Sequence, residues 1–183
     1  MFKFIKTNID GVYIIEPQVF GDARGYFYES YKKSDFDSAG LYYCFVQDNQ
    51  SKSKKGVLRG LHYQKKYPQA KLVRVLDGEV FDVAVDLRKN SQTYGKWIGA
   101  ILSSDNKRML MIPKGFAHGF LVLSDFATFA YKCDEVYHPE DEEGIIWNDP
   151  TIGIEWPICE ELLLSEKDKL NRTLKELQTE FDV

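Results

Sequence analysis

The sequence predicts a mainly β domain: an antiparallel sandwich or barrel with short helices and a helical C-terminal tail. Three observations carry that expectation. Short runs rich in Val, Ile, Phe and Tyr recur along the chain, separated by Gly, Asn, Asp and Pro. No helical pattern lies between most of them, which disfavours a β/α alternation. The 183 residues form one domain, long enough to bury roughly two thirds of its unfolded surface.

Taken in order, strands are expected at 11–16 and 26–31, then at 57–64, 71–76, 79–87, 96–102, 108–112, 120–123 and 128–133. Between the second and third, 34–40 reads as one or two helical turns, running from an N-cap serine to a closing glycine. Asp77-Gly78 joins two of the clearest strands and is the pair favoured in tight hairpins. In 79–87 the residues Phe81, Val83, Val85 and Leu87 share one face, and Val80, Asp82, Ala84 and Asp86 share the other. Ser165 opens the expected tail helix within 160–183, with Leu170, Leu174, Leu177 and Phe181 recurring at helical spacing. No linker, repeat or low-complexity stretch divides the chain.

Net charge is −4, which argues against a general nucleic-acid binder. Yet the charges are segregated. Asn49 to Leu76 holds eight basic residues and no acid; Asp134 to Asp168 holds twelve acids and one base, Lys167. Most of those lysines read as solvated loop charges, but some are placed to form an anion-binding cleft for a phosphorylated small molecule. No apolar run approaches the roughly 20 residues that span a bilayer, and the first residues lack the apolar core of a signal peptide. Cys44, Cys133 and Cys159 are odd in number and far apart, as expected of reduced thiols in the cytoplasm rather than a disulfide framework or zinc site.

The chain has three histidines. His62 lies in or beside a strand within the basic stretch, where a lone histidine is more often structural. His118 closes a Pro-x-Gly-x-x-His turn, Pro113 to His118, which is the second half of the signature of cupins, small jelly-roll barrels whose histidines often hold a metal. The first half needs His-x-His; here it reads His62-Tyr63-Gln64, one ligand short, so no metal site is expected. His138 reads as a turn residue.

Eight strings in order make the chain resemble one cupin family. They are Asp22-Ala-Arg-Gly-Tyr-Phe, Gly56-Val-Leu-Arg-Gly-Leu-His-Tyr-Gln64, Lys71-Leu-Val-Arg-Val and Phe81-Asp-Val-Ala-Val-Asp-Leu-Arg88. Ile112-Pro-Lys-Gly-Phe-Ala-His-Gly-Phe120, Tyr131-Lys-Cys, Trp147-Asn-Asp-Pro150 and Leu164-Ser-Glu-Lys-Asp168 complete the set. The family is the dTDP-4-dehydrorhamnose 3,5-epimerases. The resemblance, over about 4–168, implies a cupin-like jelly roll that inverts C3 and C5 of a dTDP-linked 4-keto-6-deoxyhexose. It implies no cofactor. A hydrogen beside a ketone is weakly acidic, so a base must take it while a neighbour holds the charge arriving on the keto oxygen, and an acid returns a proton on the other face.

Carried over by residue, His62 matches the base and Asp168 the carboxylate that pairs with it, although Ser165-x-x-Asp168 is also a plain helix-capping pattern. Tyr131 matches the acid; alternatively it is a core aromatic, sharing a strand face with Ala127, Phe129 and Cys133. Lys71 matches the enolate stabiliser, and its alternative is a strand-edge lysine. Arg59 matches a diphosphate contact. It is three residues from His62, so a regular strand would part the two, and Gly60 marks a bulge that brings them together. Arg24, Glu29, Gln47 and Asn49 match nucleotide and phosphate contacts, and His118 with Asp82 a polar pair beneath the sugar. Where the family carries an aromatic near the nucleobase, five residues after the acid tyrosine, the chain has Val136, followed by Tyr137. The resemblance also implies a homodimer in which N-terminal strands pair with the partner's sheet. Single-centre epimerases share the scaffold and the strings do not separate them; a non-catalytic sugar-nucleotide binder and a metal-dependent cupin are the readings from other classes.

Overall fold

The computed structural model describes residues 1–158, 161–177 and 181. A hairpin of β1 (Phe2–Lys6) and β2 (Tyr13–Pro17) opens the chain, followed by a small hairpin of β3 (Phe20–Asp22) and β4 (Gly25–Phe27). Helix α1 (Lys33–Ser38) leads to β5 (Gln47–Lys54) and β6 (Leu58–Gln64). Then come β7 (Lys71–Asp77), β8 (Glu79–Asp86), β9 (Trp97–Ser103) and β10 (Met109–Ile112). After β11 (Phe116–Val122) and β12 (Phe126–Cys133), a short β13 (Glu142–Gly144) and a one-turn helix α2 (Glu166–Lys169) finish the described elements.

All strand pairs between these elements are antiparallel, in a six-stranded sheet ordered β1-β2-β10-β7-β12-β5 and a five-stranded sheet ordered β13-β6-β11-β8-β9. The alternation read in β8 sorts its side chains into two apolar layers. Val80 and Ala84 point between the sheets with Val73, Val75, Phe120 and Phe129, while Val83 and Val85 join Leu58, Leu61, Trp156, Leu174 and Leu177 on the outer face. The five-stranded sheet is therefore covered on both sides, the outer side by the C-terminal segment. A third cluster, around Phe36 of α1, covers Met109, Met111 and Leu72 of the six-stranded sheet.

The helical tail expected over 160–183 is corrected by the structure: the described helix ends at Lys169. Leu170 is 82 % exposed, whereas Leu174, Leu177 and Phe181 are buried in the outer cluster. Phe181 and Leu87 share a backbone hydrogen bond, and the amide of Leu174 donates to Asp149 at 2.6 Å. Differences in helix propensity are at most about 0.7 kcal/mol per ordinary residue. Burying each large apolar side chain contributes about 1.5–3 kcal/mol, so packing decides the tail's conformation. Residues 178–180, 182–183 and the expected thiol at Cys159 lie outside the described residues.

Other boundaries also move. The strand expected at 26–31 stops at Phe27, because the chain turns so that Tyr31 can pack edge-on against Phe36 and Phe45. The strand expected at 120–123 begins earlier, at Phe116, which brings His118 into the ladder. Strands β1, β3, β5 and β13 were not expected from the sequence.

Candidate active site

Of the candidate residues, His62, Lys71, Tyr131, Arg59, Gln47, Asn49 and His118 converge where β5, β6, β7, β11, β12 and β13 line one cavity of about 390 Å³. His62 comes from β6, where it stands opposite His118 of β11 and Gly144 of β13. Between the pairs His118↔His62 and Phe120↔Arg59, β6 spends one more residue than β11. That is the bulge expected at Gly60, and it brings Arg59 and His62 to the same cavity. Gly60 has φ +116°, and a Cβ there would stand 2.6 Å from Gly119 Cα. Only glycine fits that approach.

Asp168 reaches His62 from the far end of the chain. Its Oδ1 lies 2.5 Å from His62 Nε2, with the carboxylate side chain 4 % exposed. The capping alternative holds as well: the Asp168 amide donates to Ser165 Oγ at 3.1 Å, so the backbone is capped while the side chain serves the imidazole. Burial alone would raise the Asp168 pKa, but the hydrogen bond and charge of His62, with donors from Ser165 and Gly60, hold it below the usual carboxylate value. An ionised Asp168 accepts from Nε2–H, which selects the tautomer with its lone pair on Nδ1.

Lys71 is not an edge lysine. Its strand β7 is flanked by β10 and β12, and its ammonium lines the cavity 6.0 Å from the Tyr131 ring centre. Enclosure by protein pushes its pKa below the usual lysine value, against the pull of Glu142 and Asp82. Tyr131 meets both alternatives, since it packs on the inner core and also lines the cavity. Burial raises its pKa, so the phenol keeps its proton. Beneath them, His118 lines the cavity and its Nε2 lies 2.9 Å from Oδ2 of the fully buried Asp82, whose pKa burial raises against the opposing pull of His118 and Lys71.

At the mouth, Arg59 Nε donates to Ser53 Oγ at 3.1 Å, and Gln47 and Asn49 line the wall from β5. Sequence reasoning missed Glu142. Its Oε1 lies 3.9 Å from His62 Nδ1, Tyr137 donates a hydrogen bond to its Oε2 at 2.8 Å, and it pairs with Lys167. Burial would raise the Glu142 pKa, but Lys167, Tyr137 and His62 together lower it. Its signal was hidden in the acidic stretch, which reads as solvated surface. Arg24 and Glu29 are not brought in. Both are exposed, Arg24 paired with Asp22 at 2.6 Å on the β3–β4 hairpin and Glu29 3.6 Å from the N-terminal amine. Among the described residues, no group of three or more His, Cys, Asp or Glu side chains could hold a metal ion.

An imidazole backed by a carboxylate, a lysine and a phenol around one cavity are groups able to move a proton beside a carbonyl. A family model described as dTDP-4-dehydrorhamnose 3,5-epimerase matches residues 6–176. The chain belongs to that family. The dTDP-4-dehydrorhamnose 3,5-epimerase of Methanothermobacter thermautotrophicus is 58 % identical over 177 residues, 96 % of each chain. That of Escherichia coli K12 is 58 % identical over 175 residues, 94 % of this chain and 95 % of its own. The crystal structure of the Legionella pneumophila dTDP-6-deoxy-D-glucose-3,5-epimerase, in complex with dTDP-4-keto-L-rhamnose, superposes with TM-score 0.96 at 52 % identity over 100 % of both chains. Within the family frame, Val136 is 43 % exposed and absent from the cavity wall, whereas Tyr137 is part of it. The aromatic side chain at the mouth is therefore supplied one residue later than the resemblance implied.

Proposed function

We propose that this epimerase converts dTDP-4-dehydro-6-deoxy-D-glucose to dTDP-4-dehydro-L-rhamnose by inverting C3 and C5. The observation that carries the reading is the 2.5 Å contact between His62 and Asp168 at a cavity shared with Lys71 and Tyr131. His62 Nδ1 takes the hydrogen beside the keto group. The Lys71 ammonium faces the oxyanion that forms, in a site where enclosure makes its charge count for more. Tyr131, held protonated by burial, returns a proton to the opposite face. One keto group acidifies both neighbouring carbons, so the same residues serve both in turn. Arg59, Gln47 and Asn49 hold the nucleotide diphosphate at the mouth, and the His118–Asp82 pair supports the sugar from beneath.

We also propose a homodimer in the cytoplasm. Phe20, Tyr26 and Phe27 are 55 %, 60 % and 66 % exposed on one small hairpin, an aromatic patch of the kind that marks an interface. Arg24 and Glu29, outside their own cavity, would meet substrate in the partner's. Incubating the enzyme with the 4-keto sugar in heavy water and counting incorporated deuterons tests the reaction. Two labelled carbons support 3,5-epimerisation; one supports a single-centre enzyme, and none a binding protein.

A further inference from the structure

His62 and Asp168 are 106 residues apart, and β13 is the splint between them. One edge of β13 pairs with β6, Gly144 opposite His62, and Leu61 and Ile145 exchange backbone hydrogen bonds at 3.2 and 2.9 Å just beyond. On the other edge Ile145 bridges Arg172, whose carbonyl accepts from the Ile146 amide at 2.9 Å. The tail that follows Asp168 is thus hung on the same strand as the base.

Gly144 is the point where the tail lays a side-chain amide directly against bare backbone. Its φ lies outside the left-handed region, so its backbone does not call for glycine. Space does. A Cβ on Gly144 would lie 2.5 Å from both Nδ2 and Oδ1 of Asn171 and 2.6 Å from its Cγ. Asn171 Nδ2 is buried with no hydrogen-bond partner among the described residues. The amide is therefore held over Gly144 by shape rather than by a bond to this nitrogen.

We propose that Gly144 is a positioning residue: its bare Cα leaves room for the Asn171 side chain, so that Asp168, three residues earlier on the same segment, can lie against His62. The inference rests on the reading of His62 and Asp168 as base and partner. A displacement of about 1 Å at reacting atoms costs up to ~10²-fold in rate. Gly144→Ala should therefore lower kcat by about 10- to 100-fold with KM little changed, the pattern of a loss confined to the transition state. Adding Asn171→Ala removes all three crowding atoms and should return kcat to within about threefold of Asn171→Ala alone. Deuterium wash-in should fall and recover in step. A downfield imidazole N–H resonance, read by proton NMR, follows the His62–Asp168 hydrogen bond without any substrate; it should weaken in the single variant and return in the double. Parental kcat in Gly144→Ala overturns the proposal, as does a folded double variant no better than the single. If Gly144→Ala does not fold, the double variant alone decides, by the same two readouts. If the parent enzyme labels no sugar but the resonance responds as described, the functional reading fails and the positioning role stands.

Discussion

Burial disfavours the charged form of Lys71. Its lowered pKa means that the folded protein binds the ammonium proton less tightly than the unfolded chain does. Below the ordinary lysine pKa of 10.5, the charge therefore opposes folding, and the opposition fades as pH rises. Lys71→Met should accordingly lose most turnover while melting at or above the parent's temperature, measured by calorimetry at pH 7. A lower melting temperature would show that the lysine stabilises the cavity instead. At this scale the sequence grouped His62, Arg59, Lys71 and Tyr131, which do line one cavity, because each sits in one of the eight ordered strings. It was silent on Glu142, since an acid among acids carries no mark of the histidine it faces. It was also silent on where Arg24 and Glu29 lie, because a string locates a residue in the chain and not in a single cavity.

Strand β5 shows why some elements escape a hydrophobic reading. Gln47-Asp-Asn-Gln-Ser-Lys-Ser-Lys54 has no apolar residue, yet its exposure alternates strictly. Gln47, Asn49 and Ser51 are half-buried at the wall of a polar site and Ser53 is buried beside Arg59, while Asp48, Gln50, Lys52 and Lys54 are exposed. The usable signal was neutral polar residues alternating with mostly charged ones. The tail differs in the opposite sense: its apolar residues do recur at helical spacing, but Leu174, Leu177 and Phe181 are buried on the outer face of the five-stranded sheet with no helix past Lys169 among the described residues, and Leu170 stays exposed. Leu177→Ala should then cost about 2–5 kcal/mol of unfolding free energy, the range for truncating a buried leucine, measured by urea titration. A change within about 0.5 kcal/mol, typical of surface sites, would mean that the tail is not part of the core.

The whole molecule explains the segregated charges. Of the basic stretch, Arg59 and Lys71 enter the cavity, whereas Lys52, Lys54, Lys65 and Lys66 stay in solvent. From the acidic stretch come Glu142 and Asp168, both at His62. The two stretches meet across one imidazole. If the hairpin carries Arg24 into a partner's cavity, Arg24→Ala and His62→Ala homodimers should each be impaired. Co-expressed, they should recover activity through mixed dimers in which one cavity is intact. Failure of the mixture to exceed the sum of its parts would place Arg24's role within its own chain or nowhere.

His62 is the group proposed to remove hydrogen from the sugar. Its most direct measurement is deuterium wash-in by His62→Ala, followed by mass spectrometry on the 4-keto sugar. General bases contribute about 10²–10⁴-fold, so exchange at both carbons should fall by that factor in a variant that still binds dTDP. Exchange at the parental rate at either carbon would contradict the assignment.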